Sequence, residues 1–195
     1  MEVFTFCPKA YFGSNCYVIK SDDKYAIIDP SVAPDEILCS LPSFCPEYII
    51  LTHAHFDHIL FVDEFKARFP DATVIVHKND AQGLHSAEYN ASVLFLDKPL
   101  MFQSEYRCVE EGETISLGNE TMRFYSFPGH TEGSIAIQCG ASVFVGDLVF
   151  KGGSFGRVDL PSGSIIQMRA SLEKFARLFR DDVIIYPGHG PAFSY

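Results

Sequence analysis

The 195-residue sequence has no CxxC pair, no long apolar run and few charges, and each lack excludes something. Its six cysteines (Cys7, Cys16, Cys39, Cys45, Cys108 and Cys139) lie scattered, which argues against a zinc ribbon. They read as reduced thiols, mostly filling a core. No stretch approaches the ~18 apolar residues that a membrane span needs. The N-terminus, MEVFTFCPKAYF, lacks a basic region and an apolar run of signal-peptide length, so a cytoplasmic protein is expected. Basic residues are also scarce. Lys and Arg number 15 against 25 Asp and Glu, a net charge of −10 that argues against nucleic-acid or anionic-membrane partners.

What is present is a core. Apolar residues make up 47% and aromatics 14% of a chain whose length suits one domain, residues 1–195. Only 21% is charged, too little for disorder. Short β-rich runs alternate with amphipathic ones, predicting a layered α/β domain. The strand candidates are NCYVIK, YAIIDP, YIILTH, ATVIVH, ETISL, MRFYSF, SIAIQC, SVFVGD and VIIYPG. Several are unbroken apolar runs, as in strands covered on both faces.

Helices are predicted over Ala33 to Leu41, Ile59 to Phe69, Asp80 to Tyr89 (interrupted by Gly83) and Ser164 to Phe179. In the last, Ser164 can cap, and Met168, Leu172, Phe175 and Phe179 share one face. Between Asp80 and Arg107 the periodicity blurs. An irregular packed connection is the plainer expectation, and a flap over a site is the alternative.

Four apolar runs end on a residue able to bind a metal. YIIL leads to Thr52-His53, RFYSF to Pro128-Gly129-His130, SVFV to Gly146-Asp147 and VIIY to Pro187-Gly188-His189. Twice a Pro-Gly pair precedes the histidine: proline stops the ladder and glycine permits an unusual turn. Sites in layered α/β proteins gather beyond the carboxyl ends of strands, so these side chains are expected to converge. In the stretch LTHAHFDHI, His53 and His55 stand two apart and can grip one ion. Asp57 and His58 follow as the chain turns, better placed for a second ion. Two ions about 3.5–4 Å apart need a shared anionic ligand, a role that suits Asp147. The remaining histidines, His77 and His85, read as ordinary structural residues.

THAHFDH, PGHT, GD and PGHG, in this order and spacing, resemble the metallo-β-lactamase superfamily of binuclear hydrolases. The likeness runs from SNCYVIK and IIDP to YPGHGP, and the loop GDLVFKGGSFGRVD resembles that of short glyoxalase II-like hydrolases. It implies a four-layer αββα sandwich with a site at one edge. It also implies a first metal on His53, His55 and His130, a second on Asp57, His58 and His189, and Asp147 as the bridge. Asp29 matches a structural position beside the site. Two departures, HILFVDEF after the histidine motif and DPS with Ser31, concern loop shape and touch no ligand.

The chemistry expected is hydrolysis. Two divalent ions, zinc first with iron and manganese also suited, together with two aspartates and a bridging hydroxide, leave about +1 at the centre. Asp57 and Asp147 act within the catalytic machinery. The substrate expected is a small, acidic thioester or ester, with Lys151 and Arg157 placed to reach its carboxylate. Alternatives are a lactonase and an oxidoreductase resembling persulfide dioxygenases, which hold one iron on the equivalents of His53, His130 and Asp147. Full-length glyoxalase II contacts glutathione largely through a helical domain after the last metal histidine, whereas here GPAFSY follows His189. The expected substrate therefore either lacks glutathione or is bound mainly by the 80–107 segment.

Overall fold

Every residue of strand β3 (Lys24–Ile28) after its first is buried, and successive side chains point into different cores. Ile27 joins one hydrophobic cluster and Ile28 another. Such an unbroken apolar run belongs to a strand covered on both faces. The structure is a computed structural model and describes residues 1–8, 13–179 and 182–194. The N-terminal stretch MEVFTFCPKAYF and the tail GPAFSY each run partly outside the described residues.

Two six-stranded sheets form the middle of the molecule. The first contains, in spatial order, β1 (Glu2–Phe6), β2 (Cys16–Ser21), β3, β4 (Pro46–Ile50), β5 (Thr73–His77) and β6 (Tyr106–Val109). Its first three strands pair antiparallel and β3 to β6 pair parallel. The second runs β12 (Phe193–Ser194), β11 (Ile184–Pro187), β10 (Ser142–Gly146), β9 (Ile135–Cys139), β8 (Glu120–Ser126) and β7 (Thr114–Leu117). Within it only β10 and β11 are parallel.

Three cores fill the spaces between four layers. Outside the first sheet, Ile27, Ile49 and Val74 pack with Ile37 of helix α1 (Pro34–Ser40) and Phe65 of α3 (Val62–Arg68). Between the sheets lie Ile19, Ile28, Ile50, Phe124, Ile137 and Phe144. Beyond the second sheet, Val143, Val145 and Ile185 meet Met168, Phe175 and Phe179, from α5 (Ile165–Leu178) and its C-cap. The result is the αββα sandwich. Among the described residues, no helix is long and apolar enough to cross a membrane.

All nine expected strands form. Three more, β1, β6 and β12, carry no clear period, and all three are sheet edges whose side chains are largely half-buried or exposed. Helix 59–69 is corrected at its start. A single turn, α2 (Phe56–Ile59), precedes α3, and the break falls at Phe61, whose N–H turns to the carbonyl of Pro30 at 3.0 Å. Only a short 3₁₀ turn, Ala81–His85, occupies the helix expected over 80–89. There Gly83 presses so close that a Cβ would stand 2.7 Å from both Ala54 and Tyr89.

The blurred 80–107 segment is an irregular connection with a pinned interior. Its short helix α4 (Ser92–Phe95) is anchored by buried Asn90, whose amide donates to the carbonyls of Gly83 and Leu100. The Asn90 side-chain oxygen accepts from the Ser92 N–H, and Ser92 Oγ accepts from the Leu100 N–H.

Candidate metal centre

The strand ends of both sheets deliver their polar residues to one edge of the sandwich. His53 and His55 follow β4 in extended backbone, while Asp57 and His58 ride on α2. Asp147 directly follows β10, and His130 and His189 follow the Pro-Gly turns after β8 and β11.

Their atoms converge in three overlapping groups: His53, His55 and His130; His53, His58 and Asp147; and Asp57, His58 and His189. In the first, His130 Nε2 stands 2.7 Å from His55 Nδ1 and 3.1 Å from His53 Nε2. Nitrogen lone pairs so close repel unless a proton or a cation stands among them. In the last, His189 Nε2 lies 3.3 Å from Asp57 Oδ2. Asp147 joins the two, with Oδ2 at 3.4 Å from His130 Nε2 and Oδ1 at 3.5 Å from His58 Nε2.

Neighbouring groups fix which nitrogen each ring presents. His130 Nδ1 is 2.7 Å from the carbonyl of Arg157, so Nε2 faces the site. His58 Nδ1 meets Asp29 Oδ2 at 2.8 Å, and His53 Nδ1 meets Thr52 Oγ1 at 3.1 Å. Thr52 Oγ1 in turn donates to Asp29 Oδ2 at 2.7 Å. Asp29 therefore supports a histidine of each group. It sits at a left-handed φ of 52°, a strain of about 1 kcal/mol or more. That conformation is held by its N–H to Ile50 O and by Thr52 N–H on its Oδ1.

Protonation suits a cation as well. Burial, then the crowding of other imidazoles, holds His53 well below the ordinary histidine range. The same causes bring His55 down to about 3, so both rings are neutral at neutral pH, as metal ligation requires. Burial also opposes charge on His58, but Asp29, Asp57 and Asp147 outweigh it and hold that ring well above its ordinary value. Burial pushes Asp147 up, yet His130, His58 and His189 keep it far below the usual carboxylate range. Among the described residues, the buried polar side-chain atoms lacking a hydrogen-bond partner are His55 Nε2, His58 Nε2 and Asp147 Oδ1. All three belong to this cluster, and two of them face each other where a cation would satisfy both. The donor set fits a metal.

The two Pro-Gly turns work differently. Gly129 has a φ of 148°, and a Cβ there would stand 2.4 Å from Met168 Cα, so it meets the expectation of an unusual turn. Gly188 is required for space instead: its Cβ would fall 2.2 Å from Asp147 Oδ1.

Several supports were not legible in the sequence. Buried Asp80 accepts from Ala54 N–H, Thr131 Oγ1 and Gly133 N–H at 2.9, 2.8 and 2.7 Å, stitching the loop of His53 and His55 to that of His130. It follows β5, so its place at a strand end was the available signal. Asn15 donates to the carbonyls of Pro187 and Gly190, steadying the His189 loop. His77 and His85 stand apart from the cluster, bonded to Ser126 and to the carbonyl of Phe102.

The cluster forms the floor of a cavity of about 330 Å³. Arg157 lines it, but its guanidinium makes two bonds to Asp159, at 2.7 and 2.8 Å, while its carbonyl orients His130. Lys151 is exposed and does not line it.

Known proteins resemble this chain. The model of the metallo-β-lactamase superfamily matches residues 11–189. "Probable metallo-hydrolase YqgX" of Bacillus subtilis (strain 168) is 29% identical over 182 residues, covering 91% of this chain and 85% of its own. "Hydroxyacylglutathione hydrolase GloC" of Haemophilus influenzae is 30% identical over 188 residues, covering 94% and 88%. Among solved structures, BLEG-1 B3 metallo-beta-lactamase superposes with a TM-score of 0.89 at 28% identity, covering 99% of this chain and 94% of its own. TTHA1623 in a di-iron-bound form does so with 0.84 at 31%, covering 98% and 94%. Fold, ligand cluster and likeness agree: the chain belongs to the metallo-β-lactamase superfamily.

Proposed function

We propose that the protein is a hydrolase that binds two divalent metal ions, zinc by preference, and cleaves a small thioester or ester. The observation that carries this reading is the division of the Asp147 carboxylate, one oxygen toward His130 and the other toward His58 and His189. One carboxylate shared between two ligand groups is the arrangement that a binuclear site needs.

Bound there, a pair of divalent ions would ionise water near neutral pH and polarise the scissile carbonyl. The chain's own side chains set the geometry. His53, His55 and His130 present three imidazoles on one side of Asp147, and His58, His189 and Asp57 stand on the other. Asp57 Oδ2, beside His189, borders the cavity and can accept a hydrogen bond from the attacking water. In the reaction the water oxygen joins the carbonyl carbon, the acyl–sulfur bond breaks, and one of the water's protons ends on sulfur while the other leaves to solvent. The products are a carboxylate and a thiol.

The oxidoreductase alternative requires three ligands, whereas the chain gathers all seven. Elemental analysis of protein purified without added metal tests the reading, followed by thioester, lactone, β-lactam and persulfide substrates on the same sample. Near two ions per chain with thioester turnover is expected. One iron per chain with oxygen uptake on a persulfide would replace this reading.

A further inference from the structure

Above the metal ligands, the cavity is walled by carbon. His55, Asp57, Asp147 and His189 form its floor, whereas Phe56, Phe95, Phe150, Phe155 and Leu160 form its sides. Phe56, in the middle of the HAHFDH stretch, stacks on Phe95 with centroids 5.1 Å apart and planes at 19°. Phe150 stands edge-on to His189, with 6.0 Å between centroids.

This wall is built before any ligand arrives. The Phe56 N–H donates to the carbonyl of Asn90 at 2.9 Å, and Asn90 is itself held by Gly83, Leu100 and Ser92. The histidine stretch and α4 are thereby fastened together, and Phe95 is carried to the cavity rim. Preorganised aromatic walls bind apolar groups with little ordering cost.

Among the described residues, charge on a substrate's side group finds no unengaged partner there. Arg157 is the one Lys or Arg of the described lining, and it is paired with Asp159. The other ionisable groups of the lining are the carboxylates of Asp57 and Asp147 and the imidazoles of His55, His130 and His189. A carboxylate directed between the phenylalanines would lose its hydration without gaining a counter-charge. An aryl or alkyl group loses only unfavourable contact with water.

We infer that the substrate's acyl group is uncharged and apolar, an aryl or branched alkyl group held among Phe56, Phe95, Phe150, Phe155 and Leu160. At about 330 Å³ the cavity is of the size that small-molecule sites take. The inference rests on the hydrolase reading for the identity of that group, but its binding is measurable without turnover.

Hydroxamates carry one metal-chelating head on different side groups and therefore serve as probes. Calorimetry on the metal-loaded protein compares acetohydroxamate, phenylacetohydroxamate and the monohydroxamate of succinic acid. The phenyl compound is expected to bind at least about thirtyfold more tightly than acetohydroxamate. The succinyl compound is expected to bind no more tightly than acetohydroxamate. Phe95→Ala and Phe155→Ala change partly exposed residues (39% and 40%), and each should cut the phenyl advantage several-fold. Equal binding of all three, preference for the succinyl compound, no binding by protein shown to carry metal, or an advantage surviving both variants overturns the inference. The same side groups, presented as N-acetylcysteamine thioesters, separate the two readings. The expected ranking in binding with no thioester cleaved would sink the hydrolase reading alone. Cleavage without the ranking would sink the apolar pocket alone.

Discussion

Asp29 Oδ2 lies 2.8 Å from His58 Nδ1, and both side chains are buried. The same carboxylate receives the Thr52 hydroxyl that contacts His53. One aspartate outside the ligand set thus orients a histidine on each side of Asp147. Asp29→Asn replaces one acceptor by a donor and removes the charge facing His58. Metal affinity should fall about 10–100-fold, the usual consequence of losing such an outer partner. Competition with a chromophoric chelator measures it, and unaltered affinity would show that Asp29 merely shapes its turn.

Asp147→Ala should deplete both ions, whereas His189→Ala should deplete one. The difference follows from Asp147 facing His130 and His58 together, while His189 stands in the Asp57 and His58 group and meets Asp147 through Oδ1. Metal-to-protein ratios by elemental analysis check both variants. A full single ion retained by Asp147→Ala would disprove the bridge.

Asp80 receives three donors at 2.7–2.9 Å and a weaker one from the Tyr89 hydroxyl at 3.4 Å. Burial raises its carboxyl above the usual range, with the hydrogen bonds opposing. Asp80→Asn must turn an amide N–H₂ toward at least one of these donors. A loss of about 1–3 kcal/mol of stability is expected, together with weaker binding of the ion held by His53, His55 and His130. Urea denaturation of the metal-free protein separates the first effect from the second.

Alkali should unfold the protein through its buried acids. Burial raises the Cys16 thiol and the Tyr17 phenol well above their ordinary values of 9.0 and 10.0. The unfolded chain releases these protons first, so their contribution is complete below about pH 9 and falls as pH rises from there. Each group should remove about 1.4 kcal/mol per pH unit within its window. Denaturation midpoints at pH 8, 9.5 and 10.5 test this, and Cys16→Ala should flatten the slope if the variant remains folded. A flat profile in the unmodified protein would refute it.

The central strands were readable because burial on two faces leaves a continuous apolar run. YAIIDP and SVFVGD need no partner to be recognised. At the edges, Glu2–Phe6 and Tyr106–Val109 face water on part of their surface and retain no such run. The turn at Phe56–Ile59 was hidden for another reason. Its break from α3 depends on a hydrogen bond from Phe61 to Pro30, 31 positions away in the chain.

By itself the sequence determined the layered α/β class and marked the seven residues that the fold gathers, because metal-binding chemistry leaves a local mark: imidazoles and carboxylates placed where apolar runs stop. Only the tertiary structure decided which oxygen of Asp147 meets which histidine, that Asp29 and Asp80 tie the ligand loops together, and that Arg157 offers His130 its carbonyl while its charge goes to Asp159. It also brought Phe95 to Phe56 across 39 positions of chain. Such contacts join atoms far apart in sequence, and their geometry comes from packed cores and backbone hydrogen bonds that no single stretch encodes.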